Sequence, residues 1–338
     1  MIPDNFSAYL EKIEAVLQNA VPAGPDFLAG PVRDMLGRGG KRWRPLLSLL
    51  ACEGLGGTDS VLPLLPLVEF SHTASLIHDD IEDNSPLRRG KPACHIVYGN
   101  DAAINAGSYL YFLAGACIDT WRGSPVQKAR VYSLWTDYLR RLHTGQAYDI
   151  HWHNRFELVP PVGDYLQMCA MKTGCLAAFA VDLAWVVVCA DKTACGTEEA
   201  PVCAERNTLG KAASDLGVGF QIIDDVKNLR GGIAGKKRGD DIVEGKKSLP
   251  VILFLAGKSA AERRLVEDTF KTARAEGLDS PAVEKMIALL EQDGSIDRAE
   301  QQGAALLNEA FASLAAYPWP SGAEAQNVWA RLRARIGE

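Results

Sequence analysis

Several familiar signatures are missing from this 338-residue chain. There is no basic excess: 36 lysines and arginines face 42 aspartates and glutamates, for a formal net charge of -6. That argues against nucleic acid as the main partner, because phosphate-backbone binding draws on a positive face. A local basic cluster can still serve a small anionic ligand. No GxxxxGK(S/T) loop is present to cradle a nucleotide, and there is neither a GxSxG elbow nor an HExxH pair. The eight cysteines, at 52, 94, 117, 169, 175, 189, 195 and 203, form no CxxC pair. They read as small buried hydrophobes in a reducing compartment. The opening "MIPDNFSAYLEKIEAVLQ" reads as a capped amphipathic helix without a basic-then-apolar leader pattern, so a cytoplasmic protein is expected. The longest apolar stretch, "CLAAFAVDLAWVVVCA", carries Asp182 and reads as a buried core helix, not a membrane span. Neither a fixed-period repeat nor a low-complexity segment occurs, and no Asn-Gly or Asp-Gly turn marks a hairpin.

What remains is helical. Long segments such as "VLPLLPLVEFSHTASLIHDDIED", "AAINAGSYLYFLAGACIDTW", "VYSLWTDYLRRLHTGQAYDIHW", "VGDYLQMCAMKTGCLAAFAVDLAWVVV" and "AERNTLGKAASDLGVGFQIIDDVKNL" repeat apolar residues every three or four positions. Breakers such as "NSPLRRGKP", "LVPPVGD" and "RGGIAGKKRGDD" punctuate helices and do not resemble a linker. The expectation is one all-α domain over residues 1–338, with helices packed around a central cavity.

Two acidic clusters close apolar helical runs. In "SLIHDDIEDNSPLRRGKP", Asp79 and Asp83 stand four residues apart, so both carboxylates project from one helix face about 6 Å apart, with Asp80 and Glu82 pointing elsewhere. Such pairs are hard oxygen ligands suited to Mg²⁺, which bridges readily to a phosphate. On this reading the acids' counter-charge is Mg²⁺, leaving Arg88 and Arg89 to serve phosphates. In "GFQIIDDVKNLRGG", Asp224 and Asp225 end a second run, with Asn228 in the fifth place.

Positive groups gather beside glycines in three loops. "GRGGKRWRP" supplies Arg38, Lys41, Arg42 and Arg44; "SPLRRG" supplies Arg88 and Arg89; "GGIAGKKRGDDIVEGKKSLP" supplies Lys236, Lys237, Arg238, Lys246 and Lys247. Lys172 and Thr173 lie inside an apolar helix, where an unpaired lysine would be costly. Arginine forks fit phosphate oxygens bidentately and glycines let backbone approach a ligand, so the pattern suits diphosphates. His72 lies two turns before Asp79 on the same face and could reach a bound anion.

Six motifs in order, from about Gly37 to Ile252, resemble the trans-isoprenyl diphosphate synthases, or polyprenyl synthetases: "GGKRWRP", "DDIED" with "RRG", "GQAYDIHW", "KTG", "FQIIDDVKN" and "GDDIVEGKKSLP". "DIEDNSPLRRG", "HTGQAYDIHW" and Asn228 are most similar to eukaryote-like geranylgeranyl diphosphate synthases. The resemblance implies an isoprenoid-synthase-type helical bundle, a homodimer, and a 1'-4 condensation of isopentenyl diphosphate with an allylic diphosphate, with three Mg²⁺ per active site. It implies a catalytic set of Asp79, Asp80, Asp83, Lys172, Asp224 and Asp225, in which Asp79, Asp83 and Asp224 hold metal. Arg88, Lys172, Thr173, Gln221, Lys236 and Lys246 would contact the allylic diphosphate. Lys41, Arg44, His72 and Arg89 would hold isopentenyl diphosphate, and Gln146 and Asp149 would line the same cavity. Asn228 removes one charge from the second metal site and leaves more of the binding to Asp224 and Asp225.

Helix geometry bears on product length. Ser71 lies roughly 12 Å along the axis from Asp79, at 1.5 Å per residue. Ser71, Ala74 and Ser75 are small and do not block growth at fifteen carbons, so the floor is expected at Tyr109, Tyr111 or Phe112 and the product at twenty carbons. Alternatives are a longer-chain synthase, a class I terpene cyclase and a non-catalytic regulatory subunit. A cyclase would not need anchors for a second diphosphate, and a regulatory subunit would be expected to lose aspartate motifs.

Overall fold

The computed structural model describes residues 6–189, 200–231, 238–321, 329 and 332–333. Fifteen α-helices run through the described residues: α1 Ser7–Asn19, α2 Asp26–Gly37, α3 Trp43–Gly54, α4 Leu65–Glu82, α5 Cys94–Tyr98, α6 Asn100–Thr120, α7 Pro125–His153, α8 Val162–Cys169, α9 Cys175–Cys189, α10 Ala200–Arg230, α11 Asp240–Glu244, α12 Leu249–Leu255, α13 Ala260–Glu276, α14 Pro281–Gln292 and α15 Ser295–Ala316. The all-α class read from the sequence is what the structure has.

Local chemistry explains the boundaries. Helix α7 starts at a reciprocal capping box, Ser124 with Gln127, and has Pro125 at its first turn, where the missing N–H costs nothing. Ser259 and Glu262 form the same box at α13. Helix α4 ends as Asn84 takes a positive φ of 53°. A short antiparallel ladder follows, pairing Leu87 with Pro92 and Arg88 with Lys91. Its turn residues, Arg89 and Gly90, have φ of 55° and 74°, the left-handed pair a two-residue hairpin needs. An Arg-Gly turn lies outside the dipeptides that signal hairpins in sequence, so this one was not expected.

The segment 162–188 is long and apolar enough to cross a membrane by composition, yet 83% of its apolar window is buried inside the protein. It is not one regular helix as the periodicity suggests: a π-helical turn at Ala170–Gly174 separates α8 from α9. Helix α9 packs against α3, α7 and α10, and α10 lies along α15. One apolar cluster, including Phe70, Leu110, Phe179 and Trp185, fills the space among α3, α4, α6, α7 and α9. A second, including Tyr165, Ile222, Phe270 and Met286, joins α8 and the end of α10 to α12–α15. Cys52, Cys94, Cys169 and Cys175 are buried and Cys117 half-buried, all as free thiols. The side chains of Cys189, Cys195 and Cys203 lie outside the described residues.

Candidate active site

A cavity of about 1380 Å³ opens among the start of α3, helices α4, α6 and α7, the π turn, α10 and the α11 turn. Most of the charged residues singled out in the sequence line it, whereas Asp80 and Asp83 lie behind its wall. The first acidic motif stands on one wall. Gln146 Nε2 donates to Asp79 Oδ1 at 3.0 Å and to Glu82 Oε2 at 2.7 Å, so Glu82 faces the cavity instead of pointing elsewhere. Asp80 is fully buried and accepts from Arg88 Nε at 2.7 Å.

The acids' counter-charges here are protein groups, which corrects the expectation that Mg²⁺ alone supplies them. Arg88 pairs with Asp80 and lies 3.4 Å from Asp79, so it serves acids as well as the cavity. Lys172 Nζ lies 2.6 Å from Asp149 and 3.2 Å from Asp79. Lys246 Nζ lies 2.5 Å from Glu244, 3.0 Å from Asp83 and 3.7 Å from Asp241. Burial alone would lower both lysines, but the acids outweigh it and hold each above the ordinary range. These partners answer the cost that an unpaired Lys172 would carry.

Lys172 reaches this position because it rides on the π turn, and glycines let neighbouring helices press on that turn. A Cβ on Gly145 of α7 would fall 2.4 Å from the Lys172 backbone N, and one on Gly217 of α10 would fall 2.7 Å from Gly174 Cα. Single π turns inside α-helices recur at functional sites.

The second motif lies across the cavity on α10. Asp225 is buried and accepts from Tyr165 Oη at 2.8 Å and Gln221 Nε2 at 2.9 Å. Burial, reinforced by nearby Asp241, pushes its carboxyl up. Burial also pushes Asp224 up, to about 6, against the pull of Lys41 and Lys227. Thr173 Oγ1 donates to Gln221 Oε1 at 2.8 Å. Asn228 lines the cavity, and its Oδ1 accepts the Asp241 backbone N–H at 3.3 Å, securing the α11 turn. Lys236 and Lys237 lie outside the described residues.

The cations of the "GRGGKRWRP" loop, Lys41 and Arg44 among them, gather on the cavity with His72 and Arg89. Arg44 Nη1 is 3.3 Å from His72 Nε2. Burial lowers the Arg44 pKa to about 10, and burial together with the surrounding arginines pushes His72 well below its usual value. Arg89 donates to the Gly39 carbonyl. Arg38 and Arg42 line the cavity too and are paired with acids: Arg38 with Asp34 at 2.5 Å, and Arg42 with Glu69 at 2.5 Å and Glu14 at 2.6 Å.

Away from the acids the wall becomes aromatic and aliphatic. Ser75, Tyr111 and Phe112 line it, whereas Ser71, Ala74 and Tyr109 lie off it. At about 100° per residue, Ser75 is about 40° from Asp79 around the α4 axis, Ser71 about 80° and Ala74 about 140°. Ser71 is instead fully buried, accepting from Trp135 Nε1 at 3.1 Å. The wall includes side chains the sequence reading missed. His78 stacks on Tyr111 with 5.8 Å between centroids, and His143 meets the same ring edge-on at 5.2 Å. Trp135, Leu139 and Leu142 complete it. Tyr165, Asp241 and Glu244 were missed too; only the presence of Asp241 and Glu244 within the "GDDIVEGKK" motif could have drawn notice.

The donor set suits a hard divalent cation. Both Asp83 oxygens are buried and, although Lys246 Nζ lies 3.0 Å from one of them, neither is in a regular hydrogen bond among the described residues, and burial pushes this carboxyl up despite Lys246. Among the described residues no three His, Cys, Asp or Glu side chains form a closed metal cluster.

A polyprenyl synthetase family model matches residues 25–288. A geranylfarnesyl diphosphate synthase of Aeropyrum pernix is 33% identical over 298 residues, covering 86% of this chain and 87% of that one. A geranylgeranyl pyrophosphate synthase of Zymoseptoria tritici is 37% identical over 188 residues, covering 55% and 51%. Among solved structures, a geranylgeranyl pyrophosphate synthetase from Pyrococcus horikoshii superposes with a TM-score of 0.82 at 27% identity, covering 98% of this chain and 97% of that one.

Proposed function

The chain belongs to the polyprenyl synthetase family, and we propose that it condenses isopentenyl diphosphate with an allylic diphosphate, 1'-4 and in trans, to make geranylgeranyl diphosphate. The observation that carries this reading is one cavity with acids on two facing helices, cations between them and an aromatic end. The allylic C–O bond breaks, diphosphate leaves, and the isopentenyl double bond attacks the allylic cation. The proton that is then lost goes to the departed diphosphate.

Mg²⁺, three ions by the family pattern, supplies Lewis-acid neutralisation of the leaving group when bound, with Asp79, Asp83 and Asp224 as ligands and Asp80 and Asp225 behind them. The chain's own residues do the rest. Lys172, Lys246, Thr173, Gln221 and Arg88 orient the allylic diphosphate, with Lys236 of the same motif assigned here too. Lys41, Arg44, His72 and Arg89 hold the second diphosphate. Fixed cations in a cavity that excludes water stabilise developing charge without reorganising. Tyr111, with His78 and His143, ends the chain pocket.

One domain over residues 1–338, a cytoplasmic location and a homodimer belong to the same reading. Exposed Ile104 and Phe112 on α6 and Tyr148 on α7 supply apolar surface for a second copy. The test is mass spectrometry of products after incubation with Mg²⁺, isopentenyl and dimethylallyl diphosphates. A twenty-carbon product is expected. Termination at fifteen carbons overturns the pocket assignment, and an inert chain that alters a partner synthase's product supports the regulatory alternative. The Aeropyrum relative's name favours twenty-five carbons as the second reading.

A further inference from the structure

Lys246 is held between acids from distant parts of the chain: Asp83, just past the end of α4, and Glu244 on α11. Glu244 is itself fixed, since Ser85 Oγ donates to its Oε1 at 3.1 Å across 159 positions of sequence. Ser85 lies in the loop leaving the first acidic motif, so this bond ties that loop to the turn carrying Lys246. The acids are shielded from water, the Asp83 and Glu244 side chains being 1% and 7% exposed, while Lys246 reaches the cavity at 15%. Lys172 repeats the arrangement between Asp79 and Asp149. In both cases the shorter contact is to the acid outside the first motif, 2.5 Å against 3.0 Å for Lys246 and 2.6 Å against 3.2 Å for Lys172.

We propose that Glu244 is a positioning residue that anchors Lys246, so that Asp83 can be given up to a metal–diphosphate ligand without leaving a buried ammonium unpaired. This rests on the reading of Asp83 as a metal ligand given above. Removing one partner of a buried ion pair is costly because the other charge stays uncompensated. With Glu244 in place, Lys246 keeps an anion when Asp83 turns away, and a freed N–H can meet a phosphate oxygen. Without that charge, Lys246 is left with Asp83 at 3.0 Å and the more distant Asp241 at 3.7 Å, so it closes on Asp83 and competes with the metal. Ser85 orients Glu244 for this task.

The test is a Mn²⁺ titration in the presence of inorganic pyrophosphate, read from the electron paramagnetic resonance signal of free Mn²⁺. Wild type, Glu244→Gln, Lys246→Met and the double variant are compared. Glu244→Gln raises the half-saturating Mn²⁺ concentration on the order of tenfold, as Lys246 loses its ion pair with Glu244. In the Lys246→Met background the same change has no effect. Ser85→Ala shifts the titration a few-fold in the same direction, and it carries the test if Glu244→Gln does not fold. An unchanged titration in a folded Glu244→Gln or Ser85→Ala variant overturns the proposal, as does an equal shift with and without Lys246. The titration needs no turnover. A Glu244-dependent titration from a wild type that forms no prenyl product therefore upholds this inference and sinks the prenyltransfer reading alone.

Discussion

Gly145 offers a sharp test of how the site is held. Its missing side chain is what lets α7 lie against the π turn: an added Cβ would meet the Lys172 N at 2.4 Å, the Met171 carbonyl carbon at 2.8 Å and the Lys172 Cα at 2.9 Å. All three are backbone atoms, so no rotamer change relieves the clash. Restoring ordinary contact requires α7 and the turn to part by about 1 Å. Overpacking of this kind costs about 1–3 kcal/mol, while replacing glycine by alanine in a helix interior returns about 1 kcal/mol. The net loss of about 0–2 kcal/mol, against an unfolding entropy near 2.1 cal/mol/K per residue, lowers Tm by only about 0–3 °C. Turnover responds far more. Lys172 would be displaced relative to Asp79 on α4, and about 1 Å of misplacement can cost on the order of a hundredfold. Gly145→Ala should therefore keep its fold by circular dichroism and thermal melting yet lose about two decades of kcat. Gly163→Ala is the control, since nothing lies within 4 Å of the added methyl, and it should match wild type. Near-normal turnover in Gly145→Ala would refute the idea that backbone contact with α7 sets the position of Lys172.

Other consequences follow from the same contacts. Arg42→Ala leaves the Glu69 side chain, 3% exposed, without its closest cation; breaking such a pair costs about 3–5 kcal/mol, a fall in Tm of about 4–7 °C, and a drop under 2 °C would contradict it. His72 is held neutral by burial and by Arg44, with its folded pKa below the ordinary 6.5, so the unfolded chain takes up the proton first. Stability should decline as pH falls below about 6.5, and His72→Asn should flatten that decline; parallel denaturation curves across pH 5 to 7 would exclude it. Tyr111→Ala removes the ring stacked on His78 and abutting His143, so products longer than wild type should appear by mass spectrometry, and an unchanged chain length would place the floor elsewhere.

The acids and most of their cations were legible because helix spacing is local information. Four residues separate Asp79 from Asp83, and that alone puts them on one face. What the spacing could not supply was their partners. Lys172 reaches Asp79 across 93 positions and Asp149 across 23, and Lys246 finds Glu244 only through a tight turn. Those pairings depend on how helices stack, and stacking depends on features such as the bare backbone of Gly145. The same limit explains the chain-pocket assignments. Counting rise along α4 placed Ser71 and Ala74 at suitable depths, but rotation decides which side chains face the cavity, and it turns both into the core. Rotation could have been counted from the sequence; the interrupted helix could not, because the apolar period of "YLQMCAMKTGCLAAF" runs on across the π turn.

The hydrogen-bond pattern also changes what the charge at the end of α4 means. A cluster of acids whose counter-charge arrived only with substrate would strain the substrate-free fold, since buried like charges raise one another's protonation energy. Arg88, Lys172 and Lys246 remove that strain by occupying the acids beforehand. On the proposed function the consequence is competition, because Asp79 and Asp83 must be released by a cation before either is offered to a metal. The released lysines would then face an incoming phosphate with their own second acids still attached, Asp149 for Lys172 and Glu244 for Lys246. Binding in such a site exchanges partners among groups already in place, and the energy needed to assemble those charges is met by folding.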